Sequence, residues 1–198
     1  MTIQWNFWPT ATFLFVVLSW CVYLALFLFR KKPPKPREAK RERFSKLGIA
    51  LQGSSYGLVW AIWRPPFTPL VPMPKPAEIL LALGTMALSA ASVWTIIAAA
   101  RALGKQGSYL ARLVEGHKLI VSGPYRFVRH PIYAGMFGQV LASGLAMSHW
   151  AALVAAMLLL AIGTAIRANS EEKLLREVFG DDFEAYARCV PAIFPRLR

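Results

Sequence analysis

The rest of the chain is organised around the stretch SGPYRFVRHPIYAG, residues 122–135. It is rich in polar and ring-bearing side chains, yet it runs directly into an apolar segment that begins at Ile132. Its Gly-Pro pair predicts a turn. The proline at position 131 favours an extended backbone at His130 and suits the first position of a helix, where a missing N–H costs nothing. We therefore expect Arg129 and His130 at the mouth of a helix, where free N–H groups and the positive end of the helix dipole attract anions.

Apolar runs on both sides of this stretch determine the fold class. Of the 198 residues, 56% are hydrophobic, which is more than a soluble domain usually carries. The pattern predicts an all-α, multi-pass membrane bundle with about five transmembrane helices. The five runs are Ala11–Phe29, Leu47–Trp63, Ala77–Ala100, Ile132–Met147 and Ala151–Ile166.

The last two runs are separated only by Ser148-His149-Trp150, which predicts a tight antiparallel hairpin. Each run has 16 residues. At ~1.5 Å per residue such a run covers about 24 Å, slightly less than a bilayer core. From Arg167 the chain is polar and is expected to start as a helix and then fold back as a cytoplasmic tail.

Small residues cluster in the second run. Gly48, Gly53, Ser54, Ser55 and Gly57 lie within one stretch of ten residues. Small side chains let helix backbones approach closely inside a membrane. We therefore expect this region to pack against another helix.

The basic residues lie outside the apolar runs and predict the orientation. The net charge is +13, and 21 of 23 Lys and Arg residues fall in three segments, Arg30–Lys46, Arg101–Pro131 and Arg167–Arg198. The opposite side would carry only Arg64 and Lys75. The positive-inside rule then places the N-terminus outside and the C-terminus in the cytoplasm, as in a bacterial cytoplasmic membrane.

The basic residues and the cysteines also indicate which binding partners and cross-links to expect. The nine basic residues of Arg30–Lys46 are expected to lie on anionic lipid headgroups. A nucleic-acid partner is not expected, because no folded nucleic-acid reader accompanies this loop. Cys21 and Cys189 should sit at different depths, so they should not form a disulfide, and neither has metal-ligating neighbours at a useful spacing.

Two polar clusters should meet at the cytoplasmic end of the hairpin. They can form a ligand site, or they can be a ring of paired charges at the membrane surface with snorkelling arginines. In the second reading His130 only starts a helix, and the Glu-Glu pair only balances nearby basic residues. The clusters are Tyr125, Arg126, Arg129, His130 and Tyr133, and Asn169, Glu171, Glu172 and Lys173.

These motifs resemble the isoprenylcysteine carboxyl methyltransferases and the related phospholipid N-methyltransferases. The resemblance rests on GPYR at 123–126, RHPxYxG at 129–135, the Glu-Glu pair at 171–172, and a tail that begins FGDDF at 179–183. It covers residues 77–198, which it identifies as a methyltransferase core of three transmembrane helices, a cofactor loop and the tail. Residues 1–76 would hold two further helices, the basic loop and a proline-rich connector.

The resemblance implies an integral membrane methyltransferase that uses S-adenosylmethionine and takes a lipid or lipidated substrate from the bilayer. Glu171 would pair with the cofactor ammonium, and Arg129 or the helix mouth with its carboxylate. A carboxylate acceptor needs no general base, whereas an amine would need Glu171 or His130 as one. The implied catalytic residues are Arg129 and Glu171, and the implied cofactor-binding residues are Tyr125, Arg129, His130, Tyr133, Glu171, Glu172 and Tyr186.

Two other functions are compatible with the same sequence features. Membrane sterol-type reductases, which use NADPH, resemble the same motif region. A non-enzymatic membrane protein whose basic loop binds anionic lipid would also carry this charge pattern. The chain has no GxGxxG sequence, so the site of a soluble dinucleotide-binding or Rossmann-type methyltransferase is not expected.

Overall fold

A computed structural model describes residues 6–29, 44–65, 67–104 and 119–194. This part of the chain is almost entirely helical, which confirms the predicted all-α architecture. Most of the basic loop (30–43) and part of the second polar loop (105–118) lie outside the described residues. The helices are α1 (Phe7–Phe29), α2 (Phe44–Ala61), α3 (Lys75–Leu103), α4 (Pro131–Met147), α5 (Trp150–Phe179) and α6 (Asp181–Cys189), with a short 3-10 helix at Gly123–Arg126.

Three of these helices are long and apolar enough to cross a membrane. They are α1 over Phe7–Leu26, α3 and α5. Helix α4 has 17 residues. At ~1.5 Å per residue it covers about 26 Å, less than the hydrocarbon thickness. Helix α2 carries a buried glutamine at position 52 and is not among the three helices that are apolar enough to cross a membrane. The count of five crossings therefore stays a prediction.

The predicted hairpin is confirmed. Helix α4 ends at Met147 and α5 begins at Trp150. The buried guanidinium of Arg64 caps this end of the hairpin, because it donates to backbone carbonyls at the C-terminus of α4 and to one in the connector before α3. The accepting oxygens are those of Thr68, Gly144, Leu145, Ala146 and Ser148, at 2.7–3.3 Å.

Helix α5 is longer than the apolar run that predicts it. It continues from Trp150 to Phe179 without a break, so the Glu-Glu pair lies on the same helix as the membrane segment. Gly180 then ends the helix with a φ of 49°, a backbone conformation that favours glycine. The chain turns there into α6.

The small residues of α2 are only partly used for packing. Helix α2 packs mainly against α5, and α3 against α4. A Cβ on Gly163 would come within 2.8 Å of the Gly48 carbonyl oxygen, so these two glycines mark the close crossing. Among the described residues, no atom other than the neighbouring atoms of α2 itself lies within 4 Å of a Cβ built on Gly53 or Gly57. The expectation of close packing is correct for Gly48 and wrong for Gly53 and Gly57.

Candidate active site

The two predicted polar clusters meet at one end of the α4–α5 hairpin. Helix α4 begins at Pro131, as the sequence predicts, whereas His130 has a φ of −124° and a ψ of 63°, which is not the extended backbone expected there. The carboxylates of Glu171 and Glu172 on α5 lie against this end of α4. The predicted anion at the helix mouth is thus supplied by the protein itself.

Glu172 is buried and is held by three cationic side chains. Its Oε1 atom accepts hydrogen bonds from Arg129 Nε at 3.0 Å and Nη2 at 2.8 Å, and lies 3.1 Å from His130 Nε2. Its Oε2 atom accepts a hydrogen bond from Arg176 Nη2 at 3.2 Å. A carboxylate with this many partners is fixed in position and has little capacity to bind a ligand.

Glu171 differs from its neighbour because a quarter of its side chain remains exposed. The Tyr133 hydroxyl donates to Glu171 Oε1 at 2.5 Å, and Arg167 Nη2 donates to the same oxygen at 3.3 Å. His130 Nδ1 lies 3.6 Å from Glu171 Oε2. Glu171 is therefore oriented by three groups while part of it still faces outwards.

His130 lies between the two glutamates, and each of its ring nitrogens faces a different carboxylate. Burial alone would lower the pKa of His130, but the hydrogen bonds and charges of Glu171 and Glu172 outweigh burial and raise the pKa above its usual value. The imidazole also stacks on the Tyr133 ring, with centroids 5.4 Å apart. The arrangement favours the doubly protonated imidazolium.

The tail folds back onto the motif through its main chain. The backbone N–H groups of Arg129 and His130 donate to the carbonyls of Pro191 and Ala192, both at 2.8 Å. The Arg129 guanidinium donates to the carbonyls of Ala187 and Val190. The Arg129-His130 pair thus fixes the tail as well as the glutamates.

Tyr186 and Tyr125 add a side-chain contact to the same junction. The Tyr186 hydroxyl donates to the Tyr125 carbonyl at 2.6 Å, and burial raises the pKa of Tyr186 to about 12. Tyr125 is itself buried. Farther along the tail, Phe194 packs against Phe137, with ring centroids 5.6 Å apart, although most of Phe194 is exposed.

The structure brings the seven predicted catalytic and cofactor-binding residues into one cluster, and it adds Arg167 and Arg176, which the sequence analysis considered only as balancing charges for the Glu-Glu pair. Arg167 and Arg176 hold Glu171 and Glu172 from four residues away on the same helix. The i,i+4 spacing of these pairs was a usable signal. Arg129 binds Glu172 and tail carbonyls in this structure, so its predicted contact with a cofactor carboxylate stays a prediction.

Residues 79–182, just over half of the chain, match the model of the phospholipid methyltransferase family. The chain belongs to this family. The match includes the Arg-His-Pro-x-Tyr motif and the Glu-Glu pair, and it leaves out α1, α2 and most of the tail. Within the described residues, no group of three or more His, Cys, Asp or Glu side chains is arranged to hold a metal ion.

Two kinds of curated proteins are similar to this chain. It is 34% identical over 123 residues to the cobalt-zinc-cadmium resistance protein CzcN of Cupriavidus metallidurans, covering 61% of this chain and 51% of that protein. It is 33% identical over 83 residues to the protein-S-isoprenylcysteine O-methyltransferase of Schizosaccharomyces pombe, covering 42% of this chain and 35% of that protein. The chain spans about half or less of the length of these relatives.

Proposed function

We propose that this protein is an integral membrane methyltransferase that uses S-adenosylmethionine and modifies a lipophilic acceptor. The observation that carries the proposal is Glu171, whose side chain is partly exposed and whose carboxylate is oriented by Tyr133, Arg167 and His130 at one end of an apolar hairpin. This cluster lies within the region that matches the phospholipid methyltransferase family. A relative named as an isoprenylcysteine O-methyltransferase supports the same reaction class.

The chemistry of the cluster fits the proposed cofactor. Glu171 offers a carboxylate to an ammonium group, and the His130 and Tyr133 rings that contact it are stacked on each other and suit a planar base. Arg167 supplies a cation beside Glu171 for a carboxylate group. Arg129 and Glu172 act as positioning residues, because their polar atoms hold each other and the tail.

S-adenosylmethionine, when bound, would supply a methyl group on its sulfonium: an acceptor oxygen or nitrogen would attack the methyl carbon, and the carbon–sulfur bond would break to release a neutral thioether. The protein's part is to orient both reactants and exclude water. The tail serves this purpose by covering the motif through its main-chain hydrogen bonds. A carboxylate acceptor needs no proton removal, whereas for an amine acceptor Glu171 would take up the proton.

The acceptor would approach from the bilayer along the hairpin. Helix α5 carries exposed apolar side chains on its membrane segment, including Val154, Leu158 and Ile162. These side chains would lie against lipid, so a prenyl or acyl chain could reach the end of α5 without crossing water. The polar cluster is on the same helix, beyond these residues.

The direct test is calorimetric titration of S-adenosylmethionine into the purified protein in detergent. Glu171→Ala should abolish binding while the protein stays folded by circular dichroism. Glu177→Ala removes an exposed carboxylate from the same helix and should leave binding unchanged. Wild-type binding that survives Glu171→Ala would remove Glu171 from the site, and a folded wild-type protein that does not bind would overturn the proposal.

The acceptor class is tested with tritium-labelled cofactor and two substrates. A prenylcysteine analogue offers a carboxylate, and phosphatidylethanolamine offers an amine. Methyl esters release their label in base, whereas N-methyl groups keep it, so the product identifies the acceptor atom. We expect label in one product class, and no transfer to either lipid would argue against a lipophilic acceptor.

A further inference from the structure

We propose that Gln52, on helix α2, is a positioning residue for the candidate active site. This inference rests on the proposed function and deepens it. Helix α2 lies outside the region that matches the family, so nothing in that match assigns it a part in the site. The structure nevertheless connects Gln52 to Glu171 through one intervening side chain, Arg167.

Gln52 is a buried amide on the face of α2 that also buries Gly48, Ser55 and Val59, with 3% of its surface exposed. A buried amide is costly unless its donors and acceptor find partners. Its Nε2 donates to the Oγ1 atom of Thr164, which is fully buried on α5, at 3.0 Å. Its Oε1 accepts a hydrogen bond from Arg167 Nη1, also at 3.0 Å. Thr164 therefore fixes the orientation of the amide that receives Arg167.

Arg167 transmits this orientation to the site. Its second terminal nitrogen, Nη2, donates to Glu171 Oε1 at 3.3 Å, and its guanidinium lies 5.3 Å from the centre of the Tyr133 ring. The guanidinium is planar and rigid, so fixing Nη1 on Gln52 also fixes the direction in which Nη2 points. Gln52 therefore gives the arginine an anchor on α2, outside the site that it orients.

The backbone packing limits where Arg167 can go. The side chain of Arg167 runs over Gly48 so closely that a Cβ at this position would overlap its Cγ atom. Gly48 also lies against Gly163 of α5. The close crossing of α2 and α5 thus confines the aliphatic part of the Arg167 side chain. Gln52 lies one helical turn farther along α2. Helix α2 would contribute to cofactor binding without touching the cofactor.

The test is a set of binding measurements on the full chain with S-adenosylmethionine. Gln52→Leu keeps the size of the side chain but removes both hydrogen bonds, and we expect it to weaken binding on the order of 10-fold. Gln52→Glu keeps an acceptor for Arg167 and should retain most of the affinity. Ser54→Ala, at an exposed position of the same helix, should change nothing.

A double-mutant cycle separates a positioning role from simple helix docking. If Gln52 acts through Arg167, then Gln52→Leu should cause no further loss in an Arg167→Ala protein, whose binding should be weakened but still measurable. An equal loss in both backgrounds, or wild-type affinity in Gln52→Leu, would overturn the inference. If Gln52→Leu does not fold, Thr164→Val removes only the anchor of the amide and replaces it in the cycle.

The inference can fail separately from the proposed function. If the folded wild-type protein does not bind S-adenosylmethionine, the proposed function fails, and the same four proteins are compared by thermal unfolding without ligand. Gln52→Leu and Arg167→Ala should then destabilise less together than the sum of their separate effects, because the two changes remove the same hydrogen bond. Additive effects would contradict the connection.

Discussion

His130 Nε2 lies 3.1 Å from Glu172 Oε1, which joins the start of α4 to the middle of the polar half of α5. The contact crosses 42 residues of sequence. It is one of several between two neighbouring pairs, Arg129-His130 and Glu171-Glu172. Charged side chains therefore hold the two helices of the α4–α5 hairpin together at this end. The same side chains form the candidate site.

The stability contributed by His130 should depend on pH. Its folded-state pKa is raised, because the two glutamates outweigh the effect of burial. A raised pKa means that the contribution is fully present below the unfolded-state value of about 6.5 and is lost as pH rises through the folded-state pKa. The melting temperatures of wild type and His130→Gln should differ most at acid pH and converge at alkaline pH. A difference that does not change with pH would contradict a charged His130.

Removing Arg129 should be among the most damaging single changes. Arg129→Ala leaves the buried Glu172 carboxylate without two hydrogen bonds, and the loss of one partner of a buried pair costs about 3–5 kcal/mol. The carbonyls of Ala187 and Val190 also lose their donor, so the tail should become more sensitive to protease. Arg126→Ala, at an exposed position three residues earlier, is the matched control and should melt close to wild type. Equal melting of the two variants would contradict this role.

Two glycines should respond to the same substitution in opposite directions. Gly163→Ala places a Cβ against the Gly48 carbonyl, a backbone atom that cannot rotate away, and should cost about 1–3 kcal/mol. Gly53→Ala adds a methyl group in open space on a helix and should stabilise by about 0.5–1 kcal/mol. Thermal unfolding in detergent measures both. A stable Gly163→Ala protein would mean that α2 and α5 are farther apart than described.

The predicted orientation can be tested with the two native cysteines. Both are exposed in the structure, but Cys21 lies on the membrane segment of α1 and Cys189 ends α6 in the tail. A membrane-impermeant maleimide should label Cys189 in inverted vesicles and not in right-side-out vesicles, if the C-terminus is cytoplasmic. Cys21→Ser is the control and should leave the labelling unchanged. Labelling only in right-side-out vesicles would reverse the topology.

Local sequence rules predicted the parts of the site that depend on one segment. The proline at position 131 sets the start of α4, and the short link before Trp150 makes the hairpin, which in turn brings His130 to Glu171 and Glu172. The i,i+4 pairs of Arg167 with Glu171 and Arg176 with Glu172 follow from helix geometry as well. These features need only the helix period and the loop length.

The other contacts of the site and of the hairpin depend on tertiary packing, which no local sequence pattern encodes. Gln52 contacts Arg167 because α2 crosses α5 at Gly48 and Gly163, and the sequence could not single out Gly48 among the four other small residues of the same segment. The Arg129 contacts with the tail go to main-chain carbonyls, which every residue has, so side-chain chemistry gives no signal for them. Arg64 similarly binds carbonyls at the opposite end.

The most direct test of the methyltransferase assignment is transfer of a labelled methyl group. Wild-type protein in lipid vesicles with tritium-labelled S-adenosylmethionine should place label in material that extracts into organic solvent. Glu171→Ala should reduce that label to the level of vesicles without protein, while Glu177→Ala retains it. Label in the organic phase that is equal for wild type, Glu171→Ala and protein-free vesicles would contradict the account.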